Sequence, residues 1–399
     1  MPSTDAPDVT RSRRRWLVLG LGVLAQTSSS AFVYGMPFLV PVLRDRYGLS
    51  LAEAGTYVAA PTAGLLVALI AWGAAADRWG ERVVIGVGLT LSSFAIAAVA
   101  LLPGLGHAPL ILLLAAGGAG GASVSSASGR MVMGWFSRDE RGLAMGIRQT
   151  AQPLGVAVAG VSLPALASSG GPFEPLILPA ALCLASAVLV AALAPDPPRT
   201  PRAAGEARPR SPYRTPVLWR VHAASAMLVV PQFAVAAFGT EYLVREQGWG
   251  VAAAGAFVAA GQVAGAAGRI GSGWWSDRVG SRLRPMRQIA VAAAVVLLLF
   301  GLGDAVAGWL AVTMLAVGAV VTVADNGLAF TSVAEHAGPF WSGRALGVQN
   351  TAQYLAAAAV APVAGLTITH WGYAAAFALS ALGPATATVL VPRDDAPAD

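Results

Sequence analysis

The chain repeats itself. Gly73-Ala-Ala-Ala-Asp77-Arg78-Trp-Gly80-Glu-Arg82 returns 200 residues later as Gly273-Trp-Trp-Ser-Asp277-Arg278-Val-Gly280-Ser-Arg282. A second match, shifted by 201, pairs the stretch Ala144 to Leu154 with Ala345 to Leu355. Both motif copies follow a long apolar run. In a chain of 399 residues this spacing means two similar halves, so the fold must be one that duplication can build.

The apolar runs say what is duplicated. Hydrophobic residues make up 56% of the chain and charged residues 12%, where a soluble domain carries about 25% charge. Runs long enough to cross a bilayer, which takes about 20 residues, fall near 16–42, 53–76, 83–102, 109–135, 142–168 and 174–194. After a break come 217–243, 253–275, 289–306, 308–335, 344–368 and 372–391. That is twelve spans, six on each side, with only a short turn at Asp304 between two of them. The predicted fold is an all-α membrane protein with a tail (1–15), a six-helix bundle (16–194), a linker (195–216), a second bundle (217–391) and a tail (392–399). The linker is rich in Pro, Arg and Ala and has no apolar face to bury.

Arginine placement sets the expected orientation. All 26 basic residues are arginine. With the N-terminus inside, one side of the membrane takes the N-terminal cluster, both motif loops, the linker, Arg138, Arg141, Arg344 and Arg393. The other takes only Arg44, Arg46 and Arg245. By the positive-inside rule the crowded side is cytoplasmic, so both termini and both motifs are expected there, in a bacterial inner (plasma) membrane. A net charge of +6 spread through short loops is a footprint of topology, not of nucleic-acid binding. Lone Cys183 allows no internal disulfide, and His107, His222, His336 and His370 show no metal-ligand spacing, so no metal or cofactor is expected. Glycine-rich Ala115–Ala122 lacks the Lys-Ser/Thr of a phosphate loop; it is read as a helix-packing face. Trp135, Phe136, Trp274, Trp275 and Trp371 lie near span ends, where an aromatic belt is expected.

Within the motif, Gly73 and Gly273 allow close helix approach, and Gly80 and Gly280 allow a tight turn. Asp77 can meet the positive N-terminal end of a neighbouring helix or an arginine. Arg78, Arg82, Arg278 and Arg282 have a simpler competing reading as topology anchors.

Charge within the spans is costly and by default functional. The candidates are Arg130, Arg148, Arg269 and Asp325, three arginines against one acid. Such a set favours an anionic substrate, because a carboxylate offers guanidinium groups bidentate partners. Arg148, Gln149 and Gln152 lie within one turn, and the repeat puts Gln349, Asn350 and Gln353 at the matching positions. Both sets are candidate substrate contacts, with structural helix bridging as the alternative. Gln26, Tyr34, Gln232 and Gln262 are further candidates for lining a cavity. Asp325 is the candidate proton carrier. Arg269 is a candidate carboxylate contact or a partner for Asp325, and Arg130 a gate partner for Asp77 or Asp139.

Two six-helix halves with a doubled D-R-x-G loop resemble the major facilitator superfamily, whose signature lies between helices two and three with an echo between helices eight and nine. The resemblance implies a secondary transporter that alternates access between two halves, with the Asp77 contact latching them in the outward-open state. Gly268-Arg269-Ile-Gly resembles helix eight of the family's organic-acid carriers, which implies a carboxylate contact for Arg269. Two family features are missing. Leu113 stands where helix four often has an arginine, and helix five keeps only Gly155, Gly160 and Pro164 of the drug/proton antiporter pattern. The expected function is transport of a small solute, an organic anion by preference, with H+ as a candidate coupling ion. The chain is expected to act as a monomer. The rival readings are a proton-coupled exporter of lipophilic drugs or a carrier of neutral solutes such as sugars. A polytopic receptor or membrane enzyme fits less well, since no catalytic constellation is present.

Overall fold

The computed structural model describes residues 13–169, 173–195 and 211–393. Nearly all of the two tails and of the linker expected above lies outside these. Among the described residues there is no strand. In the first half, α1 (Arg14–Val33) and α2 (Val40–Tyr47) are joined by a 3₁₀ turn, followed by α3 (Leu51–Trp79), α4 (Glu81–Leu101) and α5 (His107–Trp135). Then come α6 (Arg141–Arg148), α7 (Ala151–Ser169) and α8 (Ile177–Leu193). The second half holds α9 (Pro216–Arg245), α10 (Val251–Val279), α11 (Leu283–Val306), α12 (Gly308–Val321), α13 (Asn326–Ala337), α14 (Ser342–Ser380) and α15 (Leu382–Leu390).

Eleven stretches are apolar and long enough to span a membrane. The last, Ser342–Leu390, has 49 residues. At 1.5 Å per residue it would reach about 74 Å, more than twice a hydrocarbon core of about 30 Å. Gly372, at φ 80°, breaks it into two crossings, which makes twelve helices in two six-helix bundles. Three other spans are internally broken. The first is interrupted by the 3₁₀ turn at Met36–Leu39, the fifth between α6 and α7, and the tenth between α12 and α13, where residues 322–325 form a turn. Proline lies inside α3, α7, α9 and α14; packed membrane helices tolerate it because neighbours satisfy the freed backbone groups.

Local chemistry explains several boundaries. Ser50 starts α3 as a capping box: its hydroxyl accepts the Glu53 N–H at 3.2 Å, and the Glu53 carboxylate accepts the Ser50 N–H at 2.8 Å. Gly80 (φ 97°) and Gly280 (φ 68°) end α3 and α10 in a backbone region that other residues avoid. Hydroxyls bind the helices together in place of a hydrophobic drive between them. Ser126 donates to the Leu69 carbonyl at 2.7 Å, Ser93 to Ala180 at 2.8 Å, and Ser28 pairs with Ser186 at 2.9 Å. The glycine face of α5 packs closely, with Gly118 so near Pro61 that an added Cβ would fall 1.9 Å from its carbonyl oxygen. The aromatic belt is only partial. Trp274 and Trp371 are exposed, but Trp135 and Phe136 are buried, because α5 ends inside the packed helices.

The chain forms two compact units. One takes the described residues of 1–137 and 150–209 together with 339–348; the other takes 138–149, 210–338 and the described residues of 349–399. Each unit therefore includes a short stretch contributed by the opposite half of the sequence, and these stretches meet the two motif loops.

Candidate functional site: two motif latches and a buried polar cluster

In the first unit, Asp77 closes α3 against the first turn of α14. Its carboxylate accepts the N–H of Gly343 at 2.9 Å, the N–H of Arg344 at 3.1 Å and the Nε–H of Arg344 at 2.9 Å. This places a negative charge at a helix N-terminus, where the unsatisfied N–H groups and the dipole favour it. Arg130 of α5 donates to Asp77 at 3.1 Å and to the Ala76 carbonyl at 2.7 Å. Its Nε lies 2.8 Å from the carboxylate of Glu81, a fully buried residue. Glu81 stands at a variable position of the motif, where spacing gives no signal. Gly73 makes the approach possible: a Cβ there would fall 2.3 Å from the Gly343 carbonyl oxygen.

The second unit repeats this design with other residues. Asp277 accepts the N–H of Gly142 at 2.9 Å and of Leu143 at 2.8 Å, at the start of α6. A Cβ on Gly273 would fall 2.1 Å from the Gly142 carbonyl oxygen. The guanidinium on Asp277 comes from Arg282 of the motif itself, which also donates to Ser276 at 2.7 Å and reaches Glu335 at 3.5 Å. Arg141 lies 3.7 Å from Glu335. Arg78 and Arg278 are exposed and rest over Trp79 and Trp274, at 5.6 and 4.1 Å. Arg82 donates to the Ala191 carbonyl in the last turn of α8.

Most of the intramembrane candidates gather in the second unit. Arg148 and Arg269 are 3% and 5% exposed and Asp325 is 1% exposed. Arg148 donates to the Gln149 side chain at 2.6 Å and lies 5.7 Å over the Phe330 ring. Arg269 donates to the Gln149 carbonyl at 2.9 Å. Asp325 sits at the break between α12 and α13, which Ser272 ties to α10 through a hydrogen bond to the Ala324 carbonyl at 2.5 Å. Asp325 and Arg269 feel each other electrostatically but form no ion pair among the described residues. The Arg269 Nε and the Asp325 Oδ2 are instead buried without a hydrogen-bond partner, as is the Nε2 of Gln349.

Around them, Asn326 donates to Gln232 at 3.0 Å and Gln353 to Ser225 at 2.7 Å. Asn350 is buried. His222, which no spacing rule singled out, donates through Nδ1 to Gln349 and accepts through Nε2 from the Tyr213 hydroxyl at 3.1 Å. Burial pushes the Tyr213 phenol up to about 12, so it stays a neutral donor. Other candidates lie apart. The turn expected to carry Arg148 and Gln152 on one face is interrupted between α6 and α7, and Gln152 belongs to the first unit. Gln26, also there, lies 3.4 Å from both Ser30 and Ser125. Tyr34 is half-buried and Gln262 exposed. Among the described residues, no His/Cys/Asp/Glu group could hold a metal ion.

Twelve apolar helices in two six-helix bundles, each with a carboxylate gripping a helix start, define a multi-pass carrier. The chain belongs to the Major Facilitator Superfamily, whose family model matches residues 21–362. It is therefore a transporter and not an enzyme. It is 44% identical over 389 residues to an uncharacterized MFS-type transporter of Mycobacterium tuberculosis, covering 96% of this chain and 86% of that one. It is 27% identical over 139 residues to the hexuronate transporter of Bacillus subtilis, covering 35% and 32%. Its fold matches a fucose:proton symporter of E. coli with a TM-score of 0.76 at 16% identity, over 95% and 98% of the two chains.

Proposed function

We propose that the protein is a proton-coupled carrier of a small organic anion, working by alternating access of its two halves. The observation that supports this most is the unpartnered pair Arg269 Nε and Asp325 Oδ2. Leaving a buried donor or acceptor unsatisfied costs about 1–3 kcal/mol, and inside a membrane span such charge marks a substrate or ion path. A substrate carboxylate would supply the acceptor that the Arg269 Nε lacks, and a proton would remove the buried charge of Asp325. Arg148, with Gln149, and Gln349 with its own unpartnered donor, complete an electropositive set that disfavours lipophilic cations. The likeness to a hexuronate transporter supports a carboxylate cargo. The latches at Asp77 and Asp277 hold the motif end of the pathway shut in one state of the cycle. From the arginine distribution, both termini and both motif loops face the cytoplasm; with the pathway within one chain, the protein works as a monomer.

The test is a thermal-shift screen of the purified protein against carboxylates, sugars and lipophilic cations, with Arg148→Gln and Arg269→Gln in parallel. A ligand that binds only the folded state raises its stability. A carboxylate shift lost in either variant is expected. Stabilisation by lipophilic cations or sugars, equal in all three proteins, would overturn the anion assignment.

A further inference from the structure

Arg82 and Arg282 occupy the same motif position, yet only Arg282 serves its latch. In the first unit Asp77 takes its guanidiniums from Arg130 and Arg344. Arg82 is exposed and donates to the Ala191 carbonyl at the C-terminal end of α8, where the helix dipole favours a cation. Below it, between α4 and α8, lies an open groove of about 460 Å³. Gly86, Ala187 and Ala191 give it depth, and Val87, Leu91 and Val188 line it. Those last three side chains are 48%, 53% and 59% exposed, so the groove opens sideways from the bundle.

The dimensions choose the occupant. From Arg82 to Leu91 the groove follows nine residues of α4, about 13.5 Å at 1.5 Å rise. One leaflet of a hydrocarbon core about 30 Å thick is about 15 Å deep. The groove thus fits one acyl tail over a single leaflet, with a guanidinium at headgroup level. Anionic headgroups attract arginine at this depth, and Arg82 is held over the groove by its bond to Ala191. We infer that the α4–α8 groove is a binding site for an anionic phospholipid of the motif-side leaflet, its tail against Gly86 and its phosphate on Arg82.

Native mass spectrometry of the detergent-released protein, supplied with phosphatidylglycerol or phosphatidylcholine, tests this. Gly86→Leu fills the groove and leaves the Arg82 contact with Ala191 intact; an added Cβ has its nearest neighbours at 4.0 Å, so the variant should fold. Arg82→Gln removes the charge and keeps the groove. Val295→Leu, on the exposed face of α11, is the control. We expect wild type and Val295→Leu to retain phosphatidylglycerol over phosphatidylcholine. Arg82→Gln should lower phosphatidylglycerol retention roughly fivefold, the weight of one arginine at an anionic surface, and Gly86→Leu should lower retention of both lipids. Unchanged retention in both groove variants would overturn the site. Loss in Gly86→Leu alone would overturn the anionic assignment, and loss in Arg82→Gln alone would overturn the groove as the tail's seat.

Discussion

The Asp77 carboxylate and the Gly343 amide, 266 residues apart, meet at 2.9 Å. Asp277 meets Gly142 at the same distance, 2.9 Å. The carboxylates are related by the 200-residue offset and their amides by the 201-residue offset. The repeat therefore preserves a relationship between a loop and a helix start, not merely a string of letters. In both cases one carboxylate spans two successive N–H groups, a contact that an amide side chain cannot reproduce.

Asp77→Asn leaves one acceptor oxygen where there were two and removes the charge. The amides of Gly343 and Arg344 should then exchange with deuterium about tenfold faster, since hydrogen bonds to charged groups contribute ~1.5–3 kcal/mol. Asp277→Asn should do the same at Gly142 and Leu143. Exchange at either pair that ignores its own aspartate would overturn the latch assignment.

Gly73→Ala should destabilise the protein, because its Cβ meets backbone that cannot give way cheaply. Overpacking of this kind costs ~1–3 kcal/mol. Gly55, also within α3, has nothing within 4 Å of its Cβ position. There alanine should leave the melting temperature in detergent unchanged or raise it, since Gly is the poorer helix former. Equal effects at the two sites would show that helix propensity, not close approach, governs Gly73.

Arg130→Gln should cost more than Glu81→Gln. Removing the guanidinium leaves a buried carboxylate without its countercharge, a loss of about 3–5 kcal/mol for such pairs. The double substitution should recover part of that loss, with a coupling energy of about 0.5–3 kcal/mol. Melting temperatures of the four proteins give the cycle, and strict additivity would mean that the two do not act as a pair.

Asp325→Asn should behave in the opposite way to the latch variants. It removes an ionisable group whose Oδ2 has no partner, so the melting temperature should hold or rise. Transport in proteoliposomes should lose its response to an imposed pH gradient. A gradient response equal to wild type would remove Asp325 from the coupling path.

Much of this architecture was legible because its signals are local. Twelve spans could be counted from runs of apolar residues, and the break at Gly372 falls next to the predicted boundary at 372. Asp77 was read as a partner for a helix N-terminus or an arginine, and it meets both. Glu81 was missed because a variable motif position carries no spacing signal, although it is fully buried on Arg130. His222 was passed over as one of four scattered histidines, since its contact with Gln349 joins residues 127 apart. The helical turn expected from Arg148 to Gln152 crosses a break between α6 and α7 that the apolar pattern does not reveal.

Sequence alone determined that the protein is a duplicated twelve-helix membrane protein, because hydrophobic length and repeat spacing need no knowledge of neighbours. Only the tertiary structure decided which arginine answers which aspartate. By the 200-residue offset, Glu81 corresponds to Ser281. The first copy of the motif thus carries a buried acid, paired with Arg130, where the second carries a hydroxyl. Asp77 takes its guanidiniums from Arg130 and Arg344 while Arg82 donates to α8, whereas Asp277 takes its guanidinium from Arg282 of its own motif. A guanidinium's partner is set by which acceptors lie within its reach, and that is a property of the packed helices, invisible in a motif that reads the same twice.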